Sequence, residues 1–206
     1  MTPLRAVLWD FGGVIAAGPW DAFAAYEQAT GLSDGFIRQL NAANPNDNAW
    51  ARLERGELDR AGFAAAFESE AARAGGTLDG LAVLASLTGA IRPQVVEAIR
   101  RCHERLATGL LTNNYSGTGW RDGVDDLLDH FDVVLESSTT GVRKPDPQFY
   151  EMACRALDIE PDEAVFLDDL GVNLKPARAM GMTTIKVVDP DAALDELEAL
   201  VGFPLR

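Results

Sequence analysis

Short apolar runs at residues 4–9, 109–111, 133–135, 164–167 and 183–188 punctuate the chain. Each is too short for a helix and reads as a buried strand. The first stops at Asp10 and is followed at once by Gly12 and Gly13, as a strand ending in a tight loop requires. Between the runs the period changes. Residues 92–106 place Val95, Ile99, Cys102 and Leu106 on one face of a helix. Asp146-Pro147 and Asp189-Pro190 each offer an N-cap Asp before a Pro at the first helical position, and Gly202 closes the second of these helices. Strands alternating with helices predict an α/β fold with a doubly wound, Rossmann-like parallel sheet, whose ligands bind at the carboxyl ends of the strands.

Residues 16–92 break this alternation. They are rich in Ala, Glu and Arg, carry aromatics at Trp20, Phe23, Tyr26, Phe36, Trp50, Phe63 and Phe67, and show no strand-like run. Phe63 and Phe67 sit one helical turn apart. The pattern predicts a helical cap domain at 16–92, inserted into a core domain made of 1–15 and 93–206.

Composition narrows the partners. The chain has 206 residues, of which 47% are hydrophobic, enough for a sizeable core. A formal net charge of −14 repels nucleic acid and anionic membrane, so neither is expected as a partner. A small phosphorylated metabolite stays admissible, because a local cluster of donors holds an anion inside an acidic protein. Lysine is scarce, present only at 144, 175 and 186. Cys102 and Cys154 lie far apart with no C-x-x-C spacing, which fits two buried thiols in a reducing compartment. The first apolar run is too short for a signal peptide or a membrane span, so a soluble, cytoplasmic protein is expected.

Four polar signals follow predicted strands: Asp10; Thr112-Asn113-Asn114; Lys144 within Gly141-Val142-Arg143-Lys144-Pro145; and Asp168-Asp169, with Asn173 shortly after. Taken singly, each is explained by a turn, a loop or a helix cap. Taken together, all four are expected at one edge of one sheet. Three carboxylates there repel each other and need a cation, for which Mg²⁺ is the natural choice. Lys144 adds a further positive charge, and Thr112, Asn113 and the loop amides add donors for a phosphate. Such a pocket positions a phosphoryl group and spreads its charge, and Asp10 is the carboxylate best placed as nucleophile.

This constellation resembles the haloacid dehalogenase superfamily of phosphatases. Within it, residues 166–182, FLDDLGVNLKPARAMGM, are similar to the N-terminal phosphatase domain of the soluble epoxide hydrolases, and the likeness extends to 53–57 and to the tail. The resemblance implies that Asp10 attacks phosphorus and ligates Mg²⁺, joined by the Gly12 carbonyl and Asp169. It implies that Asp168 holds the metal or one of its waters with support from Asn173. Thr112 and Asn113 would bind phosphoryl oxygens, and Lys144 would neutralise the nucleophile and the transferring group.

One position departs from the family. Its phosphatases usually carry a second Asp two residues after the nucleophile, as acid and base, and here that position is Gly12. A positioned acid–base group is typically worth ~10²–10⁴ in rate. Three alternatives follow: a phosphatase that uses water or favours good leaving groups, an idle phosphate-binding or scaffold module, or a dehalogenase-type hydrolase. Dehalogenases need no metal and usually lose the acidic pair, which is intact here. Phosphonoacetaldehyde hydrolases use a cap lysine, and 16–92 contains none. A receiver domain would place its acidic pair first and its lysine last, the reverse of this order. A dinucleotide fingerprint is missing its third glycine at Gly117-Thr118-Gly119. Trp20, Asn44, Trp50 and Arg52 are the cap residues considered for the pocket. For the tryptophans, packing in the cap core is the simpler expectation, and for Arg52 and Arg55 surface pairing with Glu54 and Glu57.

Overall fold

The computed structural model describes residues 2–87, 89–116 and 124–206. Gly117-Thr118-Gly119 therefore lies outside the described residues. Strand β1 (Ala6–Trp9) is followed by five helices: α1 (Trp20–Thr30), α2 (Phe36–Ala42), α3 (Ala49–Glu54), α4 (Arg60–Arg73) and α5 (Gly80–Ser86). Then come α6 (Pro93–His103), β2 (Ala107–Thr112), α7 (Asp125–Leu128), β3 (Val133–Glu136) and α8 (Ser137–Thr140). The chain finishes with α9 (Pro147–Leu157), a 3₁₀ turn at Pro161–Glu163, β4 (Ala164–Asp168), α10 (Gly171–Met180), β5 (Thr183–Lys186) and α11 (Pro190–Val201).

All strand pairs are parallel, in the order β3-β2-β1-β4-β5. The near-continuous apolar runs are explained by two covered faces. Val7, Trp9, Leu110, Val165 and Leu167 pack on the side of α6 and α11, while Ala6, Leu8, Leu111, Ala164 and Phe166 pack against α9 and α10. Cys102 and Cys154 are free, buried thiols, one in each of these layers. Asp146 caps α9 by accepting from the Gln148 amide, Asp189 caps α11 by accepting from Ala192, and Gly202 ends α11 in the left-handed region. The strand and helix limits differ from the expected ones by one to three residues at several ends. β5 stops at Lys186 rather than Val188, which is exposed.

The five helices between β1 and α6 form their own apolar cluster. Trp50 sits edge-on to Phe23, Phe63 and Phe67 at ring separations of 5.6, 5.1 and 5.8 Å. Such pairs contribute about 0.5–1.5 kcal/mol each beyond their area burial. Trp50 is thus a packing residue, as its simpler reading held. The two ends of this helical segment run side by side: the Ala17 amide donates to Ala90 and the Arg92 amide to Ile15. Among the described residues, no helix is long and apolar enough to cross a membrane.

Candidate active site

Strand order reverses between β1 and β4, and a crevice forms where neighbouring connections leave in opposite directions. β1 delivers Asp10 to that edge, β4 delivers Asp168, and β2 delivers Thr112. Lys144 reaches in from the loop before α9. Its ammonium lies 2.7 Å from Asp10 Oδ1 and 2.8 Å from Asp168 Oδ2, and its side chain is 1% exposed. The stem passes the ring of Phe166, whose centroid is 5.4 Å from Nζ.

These charges set one another. Burial pushes the Asp10 carboxyl well above its usual range; Lys144 opposes this, and Asp168 adds to it. For Lys144, burial disfavours the charge, but Asp10 and Asp168 together outweigh it and hold the ammonium above its ordinary value. Asp169 is also raised, by burial and then by Asp168, with the Trp20 indole pulling the other way as a donor. Two carboxylates flanking one lysine, with a third beside them, leave the site short of positive charge. One oxygen from each of Asp10, Asp168 and Asp169 lies within 4.8 Å of the others. That is a hard, all-oxygen donor set of the kind Mg²⁺ takes.

The four candidate regions converge at this edge. Asp168 is fully engaged. It accepts from Lys144, from Asn173 Nδ2 at both of its oxygens (3.1 and 3.0 Å), and from the Leu170 amide at 2.8 Å. A carboxylate offers about four acceptor sites, so these partners fix the orientation of Asp168. The Asn113 amide is also occupied. Its Nδ2 donates to the Lys144 carbonyl at 3.0 Å and its Oδ1 accepts from the Lys144 amide at 2.9 Å. Asn113 thus grips the backbone of the lysine loop with its side chain. Asn173 is held by α10, which begins at Gly171. The Tyr150 hydroxyl donates to its carbonyl at 2.6 Å.

One contributor, Arg92, carried no signal in the sequence. The Arg92 guanidinium donates to the carbonyls of Gly13 and Val14 at 2.5 and 2.8 Å and clamps the loop after Asp10. Asn114 donates to Glu136 and accepts from Ser138, tying the end of β2 to β3 and α8. Trp20, beside Asp169, is 39% exposed; its ring meets Phe23 edge-on at 6.1 Å and lies under the Arg38 guanidinium at 5.1 Å. Arg52 and Arg55 both pair with Glu57, at 3.7 and 2.6 Å, whereas Glu54 turns inward and pairs with Arg143. Asn44 is exposed in the loop before α3, with a left-handed φ of 48°.

Gly13 is required by two constraints at once. Its φ is +86°, and a Cβ there would lie 2.4 Å from the Asp169 carboxyl carbon. Gly13→Ala is expected to cost about 1–3 kcal/mol of stability and to displace Asp169. Thermal melting and a Mg²⁺ titration check both parts, and an unshifted melt with unchanged metal affinity contradicts them.

A carboxylate at the carboxyl edge of a parallel sheet, salt-bridged by a buried lysine and flanked by a helical segment, places a candidate active site at the switch point of an α/β fold. The chain belongs to the haloacid dehalogenase-like hydrolases, whose family model matches residues 4–181. It is 34% identical over 208 residues to acyl-CoA dehydrogenase family member 10 of Mus musculus, covering 98% of this chain and 20% of that protein. It is 32% identical over 219 residues to bifunctional epoxide hydrolase 2 of Sus scrofa, covering 98% of this chain and 40% of that one. The chain therefore spans well under half the length of either relative. Sesquiterpene phosphatase astK of Aspergillus oryzae matches at 26% identity over 98% of both chains. A family enzyme of Bacteroides thetaiotaomicron, solved with magnesium and inorganic phosphate, superposes with a TM-score of 0.63 at 18% identity, over 89% of this chain and 93% of that one. At that identity the likeness speaks for the fold.

Proposed function

We propose that this hydrolase is a Mg²⁺-dependent phosphatase that cleaves a small phosphomonoester through a phosphoryl-aspartate on Asp10. The observation that carries the reading is the Lys144 ammonium strung between Asp10 and Asp168, with Asp169 completing a three-carboxylate cluster. Asp10 Oδ1 is taken up by Lys144 and by the Phe11 amide at 2.7 Å, which leaves Oδ2 as the attacking oxygen. Attack on phosphorus breaks the bond to the leaving group, which takes its proton from water because Gly12 has none to give. Water then attacks the acyl phosphate, releasing inorganic phosphate and regenerating Asp10. Lys144 holds the nucleophile and shares the charge of the transferring group, and the Thr112 hydroxyl donates to a phosphoryl oxygen.

Mg²⁺, when bound, supplies charge neutralisation for the phosphoryl oxygens. Asp10, Asp169 and the Gly12 carbonyl would hold it, with Asp168 and Asn173 orienting Lys144 and the ion's waters. Residues 16–92 act as a cap domain over the core formed by 1–15 and 93–206, and exclude water during the reaction. The intact Asp168-Asp169 pair favours phosphate over halide chemistry. A phosphatase among relatives of matching length supports the same reading. The acidic composition and two buried free thiols suit a cytoplasmic enzyme. Gly12 favours a second reading, a phosphate-binding module without turnover.

Hydrolysis of p-nitrophenyl phosphate, measured with Mg²⁺ and with EDTA, separates the two. Mg²⁺-dependent release of nitrophenolate is the expected result, followed by a screen of phosphomonoesters for the substrate. Folded protein that binds Mg²⁺ and phosphate yet releases nothing is the module.

A further inference from the structure

The residue beside Lys144 is anchored in the helical segment rather than in the core. Arg143 Nε lies 2.6 Å from Glu54 Oε2 at the end of α3, a close ion pair without the alignment of a hydrogen bond. Its Nη1 donates to the Pro45 carbonyl at 3.1 Å, in the loop before α3. Two stretches of the helical segment thus converge on a single core side chain. Glu54 is itself fixed, because its Oε1 accepts from the Trp50 indole at 3.1 Å, and Trp50 stands at the centre of the aromatic cluster. The side chains of Glu54 and Arg143 are 11% and 20% exposed, so water screens the pair far less than a surface ion pair. Close by, the turn after α3 meets α8 backbone to backbone: a Cβ on Gly56 would lie 2.6 Å from the Ser138 carbonyl oxygen.

Resting on the phosphatase reading above, we propose that Glu54 and Arg143 form a latch that couples seating of residues 16–92 to the placement of Lys144. With the segment seated, the lysine loop is gripped on two sides, by Asn113 from β2 and by Glu54 through Arg143. With the segment lifted, the pair enters water, its attraction falls and one grip is lost. Lys144 then approaches Asp10 and Asp168 from a looser loop. Both latch residues are positioning residues, acting on the chemistry through Lys144.

The test uses Glu54→Gln, which keeps an acceptor for Trp50 and removes only the charge, together with Arg143→Met and the double variant, which leaves no unpaired buried charge. Each is checked for folding by circular dichroism. In folded Glu54→Gln, kcat for p-nitrophenyl phosphate is expected to fall about ten- to a hundredfold, the scale set by a displacement of roughly 1 Å, while KM changes little. Amide exchange across residues 142–146 should quicken in parallel. The double variant should lose no more than the worse single, because both changes break one link. Unchanged kcat in folded Glu54→Gln, or losses that add, would overturn the latch. If the unmodified protein hydrolyses no ester, the phosphatase reading has failed separately. Exchange at 142–146 then decides: quickening in Glu54→Gln supports the coupling, and unchanged exchange removes it.

Discussion

Replacing Asp10 with Asn is expected to leave a folded protein whose turnover of p-nitrophenyl phosphate has dropped by at least about a thousandfold. The two halves of this prediction have separate causes. Asn keeps an oxygen in place of Oδ1, so the Phe11 amide retains its acceptor and the loop after β1 keeps its path. Burial and Asp168 both oppose a charge on Asp10, so neutralising it relieves repulsion. Against this, Lys144 loses one of two carboxylate partners but keeps Asp168 at 2.8 Å. The opposing changes leave a melting temperature near that of the parent. Turnover has no such compensation, because an amide oxygen is a poor nucleophile towards phosphorus. Mg²⁺-dependent activity within tenfold of the parent, in a preparation verified by mass, would place the nucleophile elsewhere.

The legibility of this site in the sequence follows from where its residues sit. Asp10, Thr112 and Asp168 end strands buried on both faces, so each stands at the close of an apolar run, and a parallel sheet brings such ends together. Lys144 was recoverable because so few lysines compete for the role. What the sequence could not supply was partnership. The charges along α3 suggest a row of surface pairs, yet Glu54 lies on the buried side of that helix and crosses to Arg143, while Glu57 takes both arginines. Arg92 looks like an ordinary residue before a helix, and its hold on Gly13 and Val14 comes from a return of the chain 79 residues later. The start of α10 is silent in the sequence for a local reason: its N-cap is Leu170, which makes no side-chain cap, so no polar signal marks the entry. Asn113 shows the limit most plainly. Its residue type fits phosphate binding, but its side chain also holds a loop whose path only the tertiary fold fixes.

Gly12→Asp is expected to raise turnover, and to raise it most for the least reactive esters. The position accepts a side chain without strain, since a Cβ there meets no atom within 4 Å and its φ lies outside the left-handed region that constrains Gly13. An added carboxylate enters a field already negative from Asp10 and Asp169, which favours its protonated form and so equips it to give a proton. An alkyl phosphate, whose leaving group needs that proton, should gain at least about tenfold, a fraction of the ~10²–10⁴ that a well-positioned acid supplies. p-Nitrophenolate leaves without help, so its ester should gain much less. The ratio of the two rates is therefore the informative quantity, because altered metal affinity or stability moves both esters together. A rise in that ratio would mean that the missing proton, rather than the phosphoryl site, limits the native enzyme. An unchanged ratio in folded protein would mean that another group already protonates the leaving oxygen, and Gly12 would then mark a different solution to the same chemistry rather than a loss of it.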